Sequence, residues 1–487
     1  MGVGKKAVIS TIWTSGLNYF ALAVGFVFGL LRDRVLLAPE NGVYGYGMAV
    51  VDMVFILAGL SFNIMLIQAD REREQQGLYS TAFALTAALA CCMAFVAGVT
   101  AFVLSRLGTT DIKIQAFLVL ALFNIINLFT MLFATYLEKQ LEYKRIARIN
   151  LLSVLAFPLV SYMLVLQGWG AWGMIIGQSA SLFVSFVGFA IISHYPVSFK
   201  VNADTAKWFL SNGWKLIFAR GMEVLFVRFG TLVTERLAGT SLQGSFSKVL
   251  KYWEMAPQTV SPAVVTVAMP TYSKLQGNSD KLARAFSMVV FLLTRILMPF
   301  VLVFAILPEQ FIRIIGEQWL PAVPVLRILA AGALLSPLFE NMKQLLLAKG
   351  LTGELLKIRV VQLIVFLPAT YLLVMSYGIS GAAIAMIINY VIGVAGAVLC
   401  VRRIMSVGWA RTIGQPLVLA AVAGTLSVSC PVPEMHAGAV LQFLAGAFEV
   451  TILFGVLTVA VEWKDLKRHV SFITKILKEP DSIGDVT

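Results

Sequence analysis

Asn212-Gly-Trp-Lys-Leu-Ile-Phe-Ala-Arg220-Gly-Met-Glu223-Val-Leu-Phe-Val-Arg228 is apolar enough for a membrane, yet it carries charges where a membrane disfavours them. A second stretch of the same kind follows, with Lys248, Lys251, Glu254, Gln258 and Ser261 set among apolar neighbours. At about 100° per residue, Asn212, Arg220, Glu223, Arg228, Thr231 and Thr234 fall within an arc of roughly 160°. Phe218, Met222, Leu225, Phe229 and Leu232 point the other way. Ionisable groups at bilayer depth cost about 2.5 kcal/mol or more each, so they face a cavity or a partner. Basic residues outnumber acidic ones on these polar faces, and the reading is a water-filled, cationic cavity suited to an anionic passenger.

Composition fixes the class. Of 487 residues, 59% are hydrophobic and only 13% charged, and mean hydropathy is +0.86. Soluble domains have about 45–50% apolar and about 25% charged residues, so the chain is polytopic in a membrane. Apolar runs of membrane length occur near 9–31, 44–68, 78–105, 114–137, 148–167, 170–192, 209–235, 243–272, 285–308, 322–348, 358–377, 380–401, 413–430 and 437–461. With a cytoplasmic N-terminus, most of the 38 basic residues fall on the inner side, including Lys139, Lys144, Arg145, Arg148, Arg402 and Arg403. Both termini are then cytoplasmic. The net charge of +13 mostly reflects this topology, which leaves nucleic-acid binding without support.

The chain repeats itself at one spacing. Gly168-Trp-Gly-Ala-Trp-Gly-Met-Ile-Ile echoes Gly378-Ile-Ser-Gly-Ala-Ala-Ile-Ala-Met-Ile-Ile. Glu142-Tyr-Lys-Arg-Ile-Ala-Arg stands where Thr352-Gly-Glu-Leu-Leu-Lys-Ile-Arg stands one repeat later, and Tyr44-Gly-Tyr-Gly-Met-Ala pairs with Gln243-Gly-Ser-Phe-Ser-Lys. An even number of spans per copy keeps both copies in the same orientation. The expected fold is an all-α polytopic membrane protein of about fourteen transmembrane helices. It comprises an N-terminal six-helix lobe (1–200), a second six-helix lobe related by a parallel pseudo-twofold repeat (201–405), two additional helices (406–462) and a basic cytoplasmic tail (463–487).

Arg295, isolated in the ninth span, is expected to line the cavity or to pair with Glu223 or Glu254. Asp52 has no basic neighbour on its own helix and is expected to pair across lobes or to bind a coupling cation. Asp52, Glu223 and Glu254 are therefore the candidates for ion coupling. Catalytic patterns are missing from the sequence. The three histidines are scattered over different loops, the four cysteines lack metal-site spacing, and no Gly-x-x-x-x-Gly-Lys-Ser/Thr loop occurs. No enzyme activity, metal or cofactor is expected.

Pro39-Glu-Asn-Gly-Val-Tyr-Gly-Tyr-Gly-Met-Ala, Leu66-Ile-Gln68 and Leu78-Tyr-Ser-Thr-Ala-Phe resemble the bacterial polysaccharide-transporter family, as do Ala268-Met-Pro-Thr-Tyr-Ser-Lys-Leu-Gln and Leu282-Ala-Arg-Ala-Phe286. These are the Wzx-type flippases of the MATE-like MOP superfamily, and the resemblance covers residues 10–405. It implies two lobes around a central cavity in the bacterial inner membrane. The implied passenger is an undecaprenyl-diphosphate-linked oligosaccharide moved from the cytoplasmic to the periplasmic leaflet by a monomer that works beside a polysaccharide polymerase and co-polymerase. It also implies that Arg220, Arg228, Lys248, Lys251 and Arg295 hold the diphosphate. The first span has Asn18 and Tyr19 but no base before Arg32, which counts against the peptidoglycan-precursor branch. The alternatives are a cation-coupled exporter of drugs or other lipids from the same superfamily and, more remotely, a membrane-embedded glycosyl- or acyltransferase.

Overall fold

A computed structural model describes residues 3–56, 65–67, 69, 77–429 and 438–478. Of 3–15, 18–19, 212–220, 256, 258–267, 270, 466 and 468–478 it describes the backbone alone. Among the described residues the secondary structure is helical. In order these helices are α1 (Val3–Asp33), α2 (Ala38–Val54), α3 (Leu78–Arg106), α4 (Asp111–Lys139), α5 (Tyr143–Leu166), α6 (Gly170–Ser193), α7 (Ala203–Ala238) and α8 (Thr240–Leu275). There follow α9 (Ser279–Ile306), α10 (Pro308–Ile315), α11 (Val323–Ala330), α12 (Gly332–Ala348), α13 (Thr352–Tyr377), α14 (Ile379–Ile404), α15 (Gln415–Ser429) and α16 (Ala439–Lys478).

Among the described residues, nine helices are long and apolar enough to cross a membrane, or ten if Glu317–Ala330 and Gly332–Ala348, bent by 41°, form one span. The expected fourteen is not reached on that criterion. α7, with Arg220, Glu223 and Arg228 near its middle, is not among them. Its length is not the obstacle, since 36 residues at about 1.5 Å each exceed the roughly 30 Å hydrocarbon layer. Exposed Phe95, Phe102, Ile364, Met375 and Phe448 belong on lipid-facing surfaces, because such side chains have no place in water.

Helix boundaries follow local chemistry. α2 starts at Ala38, earlier than the apolar run predicts, because Pro39 suits the first turn and Glu40 reaches back to accept from Leu37 N at 2.8 Å. α16 runs on through a kink at Glu462 (φ −111°, ψ 16°) as far as Lys478, so the segment read as a tail begins as helix.

The chain divides into two compact units, Met1–Ser247 and Lys248–Thr487. In the first, the α5–α6 hairpin is tightly packed, with a Cβ on Gly177 meeting Ser161 Cβ at 2.8 Å. The core has Val43, Val50, Val51, Phe117, Leu120 and Ile175 in one cluster and Leu78, Leu132, Phe133, Ile149 and Phe209 in another. α7, assigned by sequence to the second lobe, packs here along α2 and α3. The start of α8 crosses α2 at backbone contact: a Cβ on Gly244 would lie 1.9 Å from Ala38 O, and Asn41 Nδ2 donates to Gly244 O at 2.7 Å. In the second unit the α13–α14 hairpin is closely packed as well, with a Cβ on Gly381 falling 1.9 Å from Leu373 O. α9 and α12 form its centre, with Phe286, Val290, Leu297, Leu338, Met342 and Leu346 buried.

Candidate functional site

The packing of α7 on α2 brings two charges together. Arg228 Nε donates to Asp52 Oδ2 at 2.6 Å. The two side chains are 31% and 28% exposed. A guanidinium has five N–H donors in a rigid fork, and among the described residues Arg228 bonds through Nε alone. The outer nitrogens therefore remain available for two oxygens of one anion, the arrangement in which arginine binds phosphate most strongly. Asp52, expected to pair across lobes or to bind a cation, pairs with Arg228, which the sequence places in the second lobe and which lies in the first compact unit. On α7, Glu223 is exposed. Arg220 lies one turn before it, and its side chain falls outside the described residues.

Two other expected cavity bases are placed differently, both in the second unit. Lys248 is 2% exposed, and its Nζ sits 5.0 Å from the centre of the Trp319 ring. That correction has a physical reason: the ring's negative face takes the ammonium, and the four-carbon stem packs inward. Arg295 pairs with Glu462 of α16, not with Glu223 or Glu254. Its Nε and Nη2 donate to the two carboxylate oxygens at 2.9 and 2.6 Å. Nη1 donates to Thr294 Oγ1 at 2.7 Å and Thr412 O at 2.8 Å, while Nη2 also reaches Arg411 O at 3.3 Å. Phe291 lies beneath the group at 3.9 Å. Every donor of the fork is thus engaged, and Arg295 joins α9 to α16. Lys251, by contrast, is exposed on α8, with Glu254 half-buried on the same helix.

Two polar networks of the first unit escape sequence reasoning. Arg32, at the end of the first apolar run, is buried. It donates twice to Asp33 Oδ1, at 2.9 and 2.7 Å, and once to Ser161 Oγ at 3.1 Å, with Phe157 5.3 Å away. Lys113, in the first turn of α4, pairs with Glu235 and reaches Thr240 Oγ1 at 2.8 Å. Neither acid has a sequence signal that would identify its partner. Adjacent helical residues such as Arg32 and Asp33 do not ordinarily face each other.

Long apolar helices arranged in two compact helical units define a many-span membrane protein. The fold is that of lipid II flippase MurJ in an inward closed conformation, with a TM-score of 0.71 and 14% identity over 92% of this chain and 99% of that one. An inward-facing multidrug resistance MATE family transporter of the MOP superfamily gives 0.63 and 15% identity, over 79% of this chain and 98% of the other. Among relatives, an uncharacterized membrane protein in the cps region of Klebsiella pneumoniae is 22% identical over 80% of both chains. The succinoglycan biosynthesis transport protein ExoT of Rhizobium meliloti (strain 1021) is 21% identical, over 66% of this chain and 64% of its own. The lipopolysaccharide biosynthesis protein WzxC of Escherichia coli (strain K12) is 26% identical over 30% of each. The family described as "Polysaccharide biosynthesis protein" matches residues 33–324, and the chain belongs to it. The resemblance seen in the sequence is therefore borne out.

Proposed function

We propose that this protein flips an undecaprenyl-diphosphate-linked oligosaccharide from the cytoplasmic to the periplasmic leaflet of the bacterial inner membrane, for polysaccharide export. The observation that carries the reading is Arg228: a base on α7, a third exposed and held by one carboxylate through one nitrogen. A lipid diphosphate offers the paired oxygens that the rest of the fork can take. Family membership and the fold shared with a lipid flippase support the same reading. Arg228 is the leading diphosphate contact, with Arg220 and Lys251 as further candidates. Asp52 is its exchangeable counter-ion, and Glu223 and Glu254 remain candidates for ion coupling. The work is translocation by alternating access, with no covalent step. The protein acts as a monomer with both termini cytoplasmic, and it hands its cargo to a polymerase and co-polymerase.

The test is reconstitution. Proteoliposomes loaded with the lipid-linked oligosaccharide on one leaflet should expose it to an added glycosidase on the other. The Arg228→Ala protein should not do so, although it inserts and folds. Exposure at the protein-free rate with the unaltered chain would overturn the proposal.

A further inference from the structure

We propose that the first unit holds a second site, at its outer end, that binds a saccharide segment of the cargo; this rests on the flippase reading above. The C-terminal end of α3, the start of α4 and the C-terminal end of α7 enclose, together with α2, a cavity of about 620 Å³. Ligand pockets run from roughly 300 to 1,000 Å³, so the space suits a sugar residue or two and far exceeds the need of a metal ion. Its polar wall includes Tyr46, Thr110, Lys113, Glu235 and Arg236.

Glu235 is the decisive group. Its side chain is only 8% exposed. Oε1 accepts from Lys113 Nζ and from Thr240 Oγ1, the latter at 2.9 Å. Oε2 is buried with no hydrogen-bond partner among the described residues. A buried carboxylate oxygen without a donor is unusual enough to require one, and the residue lines the cavity. A ligand that offers Glu235 a donor has to tolerate Lys113 and Arg236 alongside. A metal cation is repelled by those bases, and an ionised phosphate has no hydrogen-bond donor to offer Glu235. Sugar hydroxyls both donate and accept, so one ring can donate a hydrogen bond to the Glu235 carboxylate and accept from Thr110 or Arg236. Val50, Met53 and Leu232, which line the same cavity, suit the apolar C–H face of the same ring. With a cytoplasmic N-terminus, these helix ends lie on the periplasmic side, where the oligosaccharide emerges.

The experiment uses the full chain in proteoliposomes, with Cys91 and Cys92 replaced by Ala and a reporter Thr100→Cys on the cavity wall. The rate of labelling by a charged maleimide is read with three additions. These are repeat units released by mild acid from the strain's own exported polysaccharide, undecaprenyl diphosphate alone, and sodium or calcium chloride alone. The repeat units should slow labelling at least fivefold, and the other two should not. Glu235→Gln should weaken that protection. Thr109→Trp, which fills the cavity without touching the ion pair, should abolish it at an unchanged melting temperature. No slowing by repeat units, equal slowing by the lipid, or slowing by cations alone would each overturn the saccharide site. If flipping by the unaltered chain persists while protection is missing, only this site falls; if flipping itself is missing, the reading beneath it falls.

Discussion

Asp52→Asn should make the protein bind its lipid diphosphate more tightly and turn over more slowly. At 2.6 Å, two unit charges attract by about 6 kcal/mol at an effective dielectric constant near 20. Most of that is offset by desolvation, and with side chains 31% and 28% exposed the pair lies between two limits. Exposed pairs contribute about 0–1 kcal/mol, and removing one partner of a buried pair costs about 3–5 kcal/mol. A net coupling of about 1–2 kcal/mol follows for Asp52 and Arg228. The incoming diphosphate must displace that carboxylate. Removing the competitor should therefore lower Kd by roughly 5- to 30-fold, and the tighter complex should release cargo more slowly. Arg228→Ala should lose binding altogether, and Arg228→Lys should recover only part of it, since lysine keeps the charge but not the fork. The assay is titration of undecaprenyl diphosphate into the purified protein, beside flipping rates in proteoliposomes. An unchanged Kd in Asp52→Asn, or binding as weak as in Arg228→Ala, would refute the exchange of counter-ions.

Three further outcomes are expected. Gly244→Ala places a Cβ 1.9 Å from Ala38 O and should cost about 1–3 kcal/mol through overpacking, read as a lowered melting temperature; an unchanged melting temperature would mean that α2 and α8 part easily. Glu462→Gln should destabilise by about 3–5 kcal/mol by stranding the guanidinium of Arg295, while Arg295→Met with Glu462→Leu should restore most of the loss; failure of the double variant to recover would show that the pair does more than hold α16. A cysteine at position 251 should react with a charged maleimide and one at 248 should not, because Lys251 is exposed and Lys248 is 2% exposed.

The membrane class and the family were legible because they depend on local quantities: apolar run length, basic bias and short motifs. The pairing of charges was not, because partners lie far apart in the chain. Asp52 and Arg228 are 176 positions apart, and helical periodicity says which face each occupies but not which helix it meets. Arg295 shows the same limit. The last apolar run was read as ending at 461, one residue short of Glu462, whose kinked backbone lies in a longer helix. Lys248 was placed on the polar side by periodicity alone. Its burial depends on Trp319, which sits in a 3-10 turn, Glu317–Ala322. Periodicity also could not assign α7 to a unit, because its contacts are set by side chains such as Asp52 of α2 and Ile56 just beyond it and not by any repeat.

The useful distinction among intramembrane bases is therefore not charge but exchangeability. Arg295 has a bidentate carboxylate, a hydroxyl and two backbone carbonyls around its fork, so an entering anion would have to replace several bonds at once. Lys248 keeps its ammonium against an indole in a site closed to solvent, and a phosphate reaching it would have to be stripped of water. Arg32 is equally enclosed by Asp33, Ser161 and Phe157. Arg228 gives up one hydrogen bond to one carboxylate and is already a third exposed. Binding energy available to an anion is the difference between its contacts and those it displaces, and that difference is greatest where the resident counter-ion is held least. By that criterion an anionic passenger can claim Arg228 more readily than Arg32 in the first unit or, in the second, Arg295 and Lys248.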